Sequence, residues 1–211
     1  MRVKQHQRIM VIGAHPDDVE MNAGGSIHKW VQEGHDVCIV VITGVTGSLR
    51  HTEVMKASLY LGVGDIRLLE AYDTRVHYSF NLTLGKLETA VADFKPDTVV
   101  THFHADTHQD HVATYQLAIV AARKVPNFLM FKPTYPSGRP DIPFHPQVIS
   151  LLSESDMQAK IKAINAFESQ RVKYGDAAWT EAMGAVSKGD AWTYAGVHGF
   201  AEVFQLGRLV M

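Results

Sequence analysis

Residues 8–20 read RIMVIGAHPDDVE, and the change of character at Gly13 sets how the chain is read. Arg8 to Gly13 has the length and β-branched content of a buried strand. A histidine and two adjacent carboxylates follow at once. In an open α/β sheet, ligands collect at the carboxyl ends of the strands, so His15, Asp17 and Asp18 stand where a substrate would lie. A second polar cluster, DTHQDH at 106–111, comes soon after another apolar run, DTVVTH at 97–102. Two polar clusters at two strand ends say more than either alone.

Outward from these points, strand-like and helix-like segments alternate. The spacing predicts helices over 18–33, 50–62, 81–94 and 109–123, and strands over 36–42, 66–69, 97–102 and 127–131. This rhythm implies βαβ crossovers and a mainly parallel sheet in an α/β fold with a three-layer core. The rhythm breaks at Lys132. The stretch 132–146 carries Pro133, Pro136, Pro140, Pro143 and Pro146 and reads as an irregular loop, a lid or an oligomer contact. Beyond it, a helix is expected over 156–170, capped by Ser155 or Asp156. Residues 177–195 read as helical with a break near Gly184 or Gly189, and 201–210 as strand. No repeat or composition shift divides the chain, so one domain over 1–211 is expected.

The bulk numbers narrow the function classes. A net charge of −2 over 211 residues, with no basic stripe, gives no support for a nucleic-acid partner. Cys38 lies in an apolar run and reads as a small buried hydrophobe. A single cysteine excludes an intrachain disulfide and fits a reducing, cytoplasmic setting. The first apolar run is short and leads straight into the acidic cluster, unlike a signal peptide. No stretch approaches a membrane span. The 12 histidines, several between His102 and His111, point instead to a site.

Zinc catalysis needs three protein ligands and an open position, and His15, Asp18 and His111 can supply a His/Asp/His set. Asp17, beside a ligand but pointing elsewhere, can serve as general base. Pro16 stiffens the turn that presents them. Two plainer readings compete. Asp-Asp before a helix is a common capping arrangement. A phosphoacceptor domain also carries paired acids after its first strand, with Lys132 as its lysine, but has no use for the histidines. At the second cluster, His108 and His111 lie on one helix face. One can bind metal while the other donates a proton, with Asp110 orienting His108 and raising its pKa. The plain alternative there is a solvated helix start with incidental histidines.

The chain resembles the PIG-L or LmbE-like family of zinc-dependent N-acetylglucosaminyl deacetylases. The family signature Ala-His-Pro-Asp-Asp-x-Glu stands at 14–20, followed by Gly24 and Gly25, and Asp-x-His-x-Asp-His stands at 106–111. A linking pattern matches Arg50, Glu53, Ala57, Leu61 and Gly62, and Ser169-Gln170 and Ala201-Glu202-x-Phe204 resemble later landmarks. The resemblance implies a Rossmann-like three-layer α/β/α sandwich with a late strand at 147–152. It implies His15, Asp18 and His111 as metal ligands, Asp17 as general base, and His108 as acid or oxyanion stabiliser with Asp110 behind it. Arg50 matches a substrate-contacting arginine, for which an ion pair with Glu53 is the plain alternative. Asp73, in the loop after the third strand, matches a sugar-contacting acid, for which a turn residue is the plain alternative. Gln109 replaces the usual proline, and the loop 43–49 is short beside many relatives.

The expected activity is removal of an N-acetyl group from an amino-sugar-containing small molecule by a metal-activated water, with zinc, or Fe(II), Co(II) or Ni(II), as the metal. Two other functions fit the same residues. One is an amidase acting on a bulkier amide, a thiol conjugate or antibiotic precursor. The other is a metal- or sugar-binding protein without turnover, against which Asp17 and His108 count. The expected partners are a small amino-sugar or amide substrate and a further copy of the chain, with neither nucleic acid nor membrane. His102, His104 and His198 are open as pocket residues. Trp30, Trp179 and Trp192 offer stacking surfaces, although Trp30 reads as helix packing.

Overall fold

The structure, a computed structural model, describes residues 6–133, 141–175 and 177–210. Strands β1 (Arg8–Gly13), β2 (Asp36–Val41), β3 (Asp65–Leu68), β4 (Thr98–Thr101) and β5 (Asn127–Phe131) are parallel. Strands β6 (Val148–Leu152) and β7 (Phe200–Arg208) add an antiparallel edge, giving the order β3-β2-β1-β4-β5-β7-β6. The helices between them are α1 (Asp18–Gln32), α2 (Leu49–Leu61), α3 (Phe80–Phe94), α4 (Gln109–Ala121), α5 (Glu154–Asn165), α6 (Glu168–Tyr174) and α7 (Ala177–Asp190).

The strands alternate between two apolar cores, because successive side chains point to opposite faces. Ile9, Val11, Ile39, Val41 and Phe131 join a core built with α1, α2 and α5. Met10, Ile12, Cys38, Val40 and Met130 join a second core under α3 and α4. Burial on both faces explains why the strands read as continuous apolar runs, not as alternating patterns. The three layers follow from this. Cys38 is fully buried, as expected. No helix among the described residues is long and apolar enough to cross a membrane.

The later helices depart from the sequence expectation. Helix α5 starts two residues before 156, because Ser153, not Ser155 or Asp156, caps it, with Asp156 closing a reciprocal capping box. The helix does not run to 170. It stops at Asn165, and α6 begins after the buried Phe167. Helix α7 passes through both Gly184 and Gly189, and the irregularity falls later, in a π-type turn at Ala191–Ala195. In the proline-rich stretch 132–146, residues 134–140 lie outside the described residues, and the flanking 141–147 form no regular element.

The paired glycines sit at packing contacts. A Cβ on Gly25 would lie 2.5 Å from Leu152 Cδ1. The Gly25 and Ser26 N–H groups donate to Glu202 on β7, at 3.1 and 2.7 Å, and Lys160 on α5 donates to the same carboxylate at 2.6 Å. Lys160 and Glu202 are both buried. Removing the cation alone leaves a buried anion, so Lys160→Ala is expected to destabilise the fold by about 3–5 kcal/mol. Urea unfolding measures this, and a loss below about 1 kcal/mol would mean that the pair is well solvated.

Candidate active site

The chain steps from β1 outward to β2 and β3, then returns to place β4 on the other side of β1. The carboxyl ends of β1 and β4 therefore flank the point where the winding reverses, the place where open α/β sheets form a crevice. This adjacency brings segments some ninety residues apart into contact. The Ala14 N–H donates to His102 Nε2 at 3.0 Å and ties the two strand ends together. Gly13 has no room for a side chain, since a Cβ would lie 2.8 Å from Val19 Cγ2. The turn can then fold tightly back over the start of α1.

At the bottom of the crevice is Asp18, buried and ringed by histidines. Its Oδ2 accepts from the His15 N–H at 2.7 Å and lies 3.4 Å from His15 Nδ1 and 3.2 Å from His102 Nε2. Its Oδ1 lies 3.4 Å from His111 Nε2. The other nitrogen of each outer imidazole meets its own carboxylate: His111 Nδ1 is 2.9 Å from Asp106, and His15 Nε2 is 3.2 Å from Asp110 and 3.3 Å from Asp73. Carboxylates placed behind imidazoles in this way are how proteins orient metal-binding histidines.

This arrangement corrects one sequence assignment. Asp110 does not stand behind His108. Its carboxylate reaches His15 and accepts from the Thr74 and Val76 N–H groups at 2.6 and 3.3 Å. His108 instead caps α4, its Nδ1 accepting from the Asp110 backbone N–H at 3.2 Å. A ring whose Nδ1 is an acceptor carries its proton on Nε2 when neutral. Burial, with His111 and His15 adding to it, pushes the His108 pKa down, not up as expected with a carboxylate partner. Asp106, which entered the sequence reading only as a motif letter, holds His111 and also accepts from the His108 N–H at 2.8 Å.

Asp17 caps nothing. It occupies the N-cap position of α1 at φ 113° and makes no capping bond through its side chain. A non-glycine residue in that region is strained, and such strain is held where the surrounding structure demands it. Its Oδ2 faces Arg50 Nη2 at 3.1 Å, and Arg50 also donates to the Pro16 carbonyl. Burial and the neighbouring Asp18 push the Asp17 pKa up to about 6, against the pull of Arg50. The Arg50–Glu53 pair foreseen as the plain alternative is present too, at 3.6 Å. Glu20, the last letter of the first motif, is buried with one oxygen unpartnered, and burial raises its pKa to about 8.

The four imidazoles 15, 102, 108 and 111 touch in a chain, with ring centroids 4.0–4.8 Å apart between successive partners. Three donor sets each have ligand atoms within 4.8 Å of one another: His15, His108 and His111; Asp18, His102 and His111; His15, Asp73 and Asp110. The expected ligands His15, Asp18 and His111 are spread over the first two. Burial opposes charge on His15, yet bonds to Asp110, Asp18 and Asp73 hold its pKa up at about 12. His111 likewise rises to about 9 through Asp18 and Asp106, against its burial. Protons thus stand where the converging carboxylates call for positive charge, and a divalent cation with nitrogen and oxygen ligands suits the same place.

The crevice opens into a cavity of about 830 Å³. Asp17, Arg50, Asp73, His108, Gln170 and Lys173 are among its lining. His102 is buried and lines the cavity, its Nε2 accepting from the Ala14 N–H and lying 3.2 Å from the Asp18 carboxylate. His104 packs on Phe103 and Tyr115, and His198 on the exposed Trp192, away from the cavity. Trp30 packs near Phe204 and Trp179 is buried in the same core, so neither offers a face to a sugar in the cavity. Gln109, where a proline was expected, donates to the Thr74 carbonyl at 2.6 Å and secures the loop bearing Asp73.

A family model described as PIG-L, GlcNAc-PI de-N-acetylase, matches residues 10–122, a span holding both polar clusters. The chain is 34% identical over 171 residues to a protein of Escherichia coli K12 named uncharacterized deacetylase YaiS, covering 76% of this chain and 90% of that one. Its fold matches N,N'-diacetylchitobiose deacetylase from Pyrococcus horikoshii with a TM-score of 0.76 at 21% identity, over 96% and 84% of the two chains. It matches the 4-carboxy-2-hydroxymuconate hydratase GalB from Pseudomonas putida KT2440 as well, with a TM-score of 0.78 at 19% identity over 96% and 97%. Fold alone therefore does not choose the reaction.

Proposed function

The chain belongs to the PIG-L family, and from that premise we propose that it is a metal-dependent hydrolase that removes the acetyl group from an N-acetylated amino sugar. The observation that supports this reading is the contact of Asp18 with both His15 and His111, at 3.4 Å each, with Asp17 lining the same cavity. His15, Asp18 and His111 would hold the cation, zinc or another divalent metal that accepts mixed nitrogen and oxygen ligands. When bound there, it would polarise the acetamide carbonyl and acidify an attacking water.

The chain's own groups do the rest. Asp17 takes the proton of the attacking water, and its pKa near 6 keeps it ionised at neutral pH. Arg50 fixes the carboxylate that does this, which makes it a partner of the base as well as a cavity residue. His108 presents Nε2–H and donates to the oxygen that gains charge as the carbonyl is attacked. Asp17 then returns its proton to the departing amine, giving acetate and the free amino sugar. Asp110 and Asp106 hold the two outer imidazoles. Asp73, 71% exposed on its side chain and at the cavity wall, is placed to meet sugar hydroxyls. The cavity has room for more than one acetamido sugar ring, which favours a glycoside or sugar conjugate over a free monosaccharide.

Acetate release tests the proposal directly. Protein loaded in turn with zinc, Co(II), Ni(II) and Fe(II) is given N-acetylglucosamine, N,N'-diacetylchitobiose, N-acetylglucosamine conjugates and bulkier amides. Acetate is expected from the sugar set, most from its larger members. Cleavage confined to the bulky amides would make the protein an amidase of another substrate class. Binding of N-acetyl sugars without acetate release would make it a non-catalytic binder.

A further inference from the structure

We infer that Glu53 is a positioning residue for the deacetylation reaction: it holds Arg50 in the place from which Arg50 fixes Asp17. The inference rests on the deacetylase reading of the site. It starts from a buried anion that this reading does not use. Glu53 lies on α2 and is only 4% exposed. Burying a carboxylate is costly unless its oxygens are satisfied, and here both are. Oε1 accepts from the Ser169 N–H at 2.7 Å, and Oε2 accepts from the Ser169 hydroxyl at 2.7 Å. Oε2 also lies 3.6 Å from Arg50 Nη1.

Arg50 is thereby held from behind. Its guanidinium has Glu53 on one nitrogen and Asp17 on the other, with Nη2 at 3.1 Å from Asp17 Oδ2. Phe167, in the break between α5 and α6, lies under it at 5.3 Å from the ring centroid. Ser169 Oγ stands 3.4 Å from Nη1. A long arginine side chain has many rotamers, and ordering it costs entropy. The socket of Glu53, Ser169 and Phe167 meets that cost away from the reacting atoms. The guanidinium can then meet Asp17 in one orientation. Because Glu53 is not itself among the cavity-lining residues, whereas Arg50 is, it acts through Arg50.

Glu53→Gln keeps the shape and an acceptor for the Ser169 N–H but removes the charge facing Arg50. It is expected to lower kcat by about ten- to hundredfold, through a displaced Asp17, with KM within about twofold. The loss should be far from additive with Arg50→Lys, since both changes abolish the same guanidinium contact with Asp17. A crystal structure of Glu53→Gln should show Arg50 withdrawn from Asp17. If the Gln variant does not fold, Glu53→Asp retracts the charge by one methylene and carries the same expectation for kcat. A rise in KM alone, additivity with Arg50→Lys, or an Arg50–Asp17 pair that stays intact would each overturn the inference. Wild-type protein that releases no acetate would instead overturn the deacetylase reading, and the crystallographic comparison would still judge the socket.

Discussion

Asp17→Asn is expected to lower kcat by about 10²–10⁴ while bound metal stays at the wild-type level. The substitution suits the question because asparagine tolerates positive φ better than most residues, so the strained turn at φ 113° survives. It also keeps a hydrogen-bond acceptor for Arg50 while removing the proton acceptor that deacetylation needs. The wild-type acid limb has a definite sign. Burial and Asp18 raise the Asp17 pKa to about 6, and a cation beside it would draw that value downward. The base is lost as pH falls, so turnover should drop below a pH at or under about 6, and this limb should vanish in Asp17→Asn. Turnover near the wild-type rate in that variant would remove Asp17 from the proton transfer.

His111→Ala is expected to lose both the metal and the activity. The imidazole bridges Asp106 and Asp18, and no other group in the cluster has its Nε2 at the Asp18 Oδ1. Elemental analysis after dialysis reads the first loss, and acetate release the second. Retention of stoichiometric metal would take His111 out of the ligand set and favour the donor group of His15, Asp73 and Asp110, which does not include it. Metal binding by the wild type should also depend on pH. Without the cation, His15 and His111 are held protonated, at about 12 and about 9, and a nitrogen that carries a proton cannot coordinate. Binding therefore displaces protons near neutral pH, and affinity rises with pH through the whole range from 6 to 9 and, through His15, beyond it. Calorimetry in buffers of different ionisation heat detects those protons, and a binding constant flat from pH 6 to 9 would contradict this account.

Much of the fold was legible in the chain. Buried parallel strands must be apolar on both faces, so β1, β2 and β5 appeared as uninterrupted runs, and their bounds fell within a residue of expectation. The helix after residue 153 was less legible. Ser155 and Asp156 are the caps expected from the sequence, whereas Ser153 caps the helix and Asp156 closes the box with it. The break at Phe167 has no proline or glycine to announce it. It arises because Phe167 turns inward to the core, which leaves Ser169 in reach of Glu53.

For the site, the sequence alone established the residue types and the two clusters that carry them. A histidine and paired acids at one strand end, with a second histidine cluster at another, are short-range patterns, and short-range patterns are written in the order of the residues. Which carboxylate stands behind which imidazole is not written there. Asp110 lies two residues from His108 yet serves His15, and Asp17 faces an arginine on α2 and leaves the helix end uncapped. These pairings depend on how the ends of β1 and β4, the start of α4 and the face of α2 are set against one another by the winding of the sheet. Hydrogen bonds and charges act across space over a few ångströms, so only the packed arrangement could assign them.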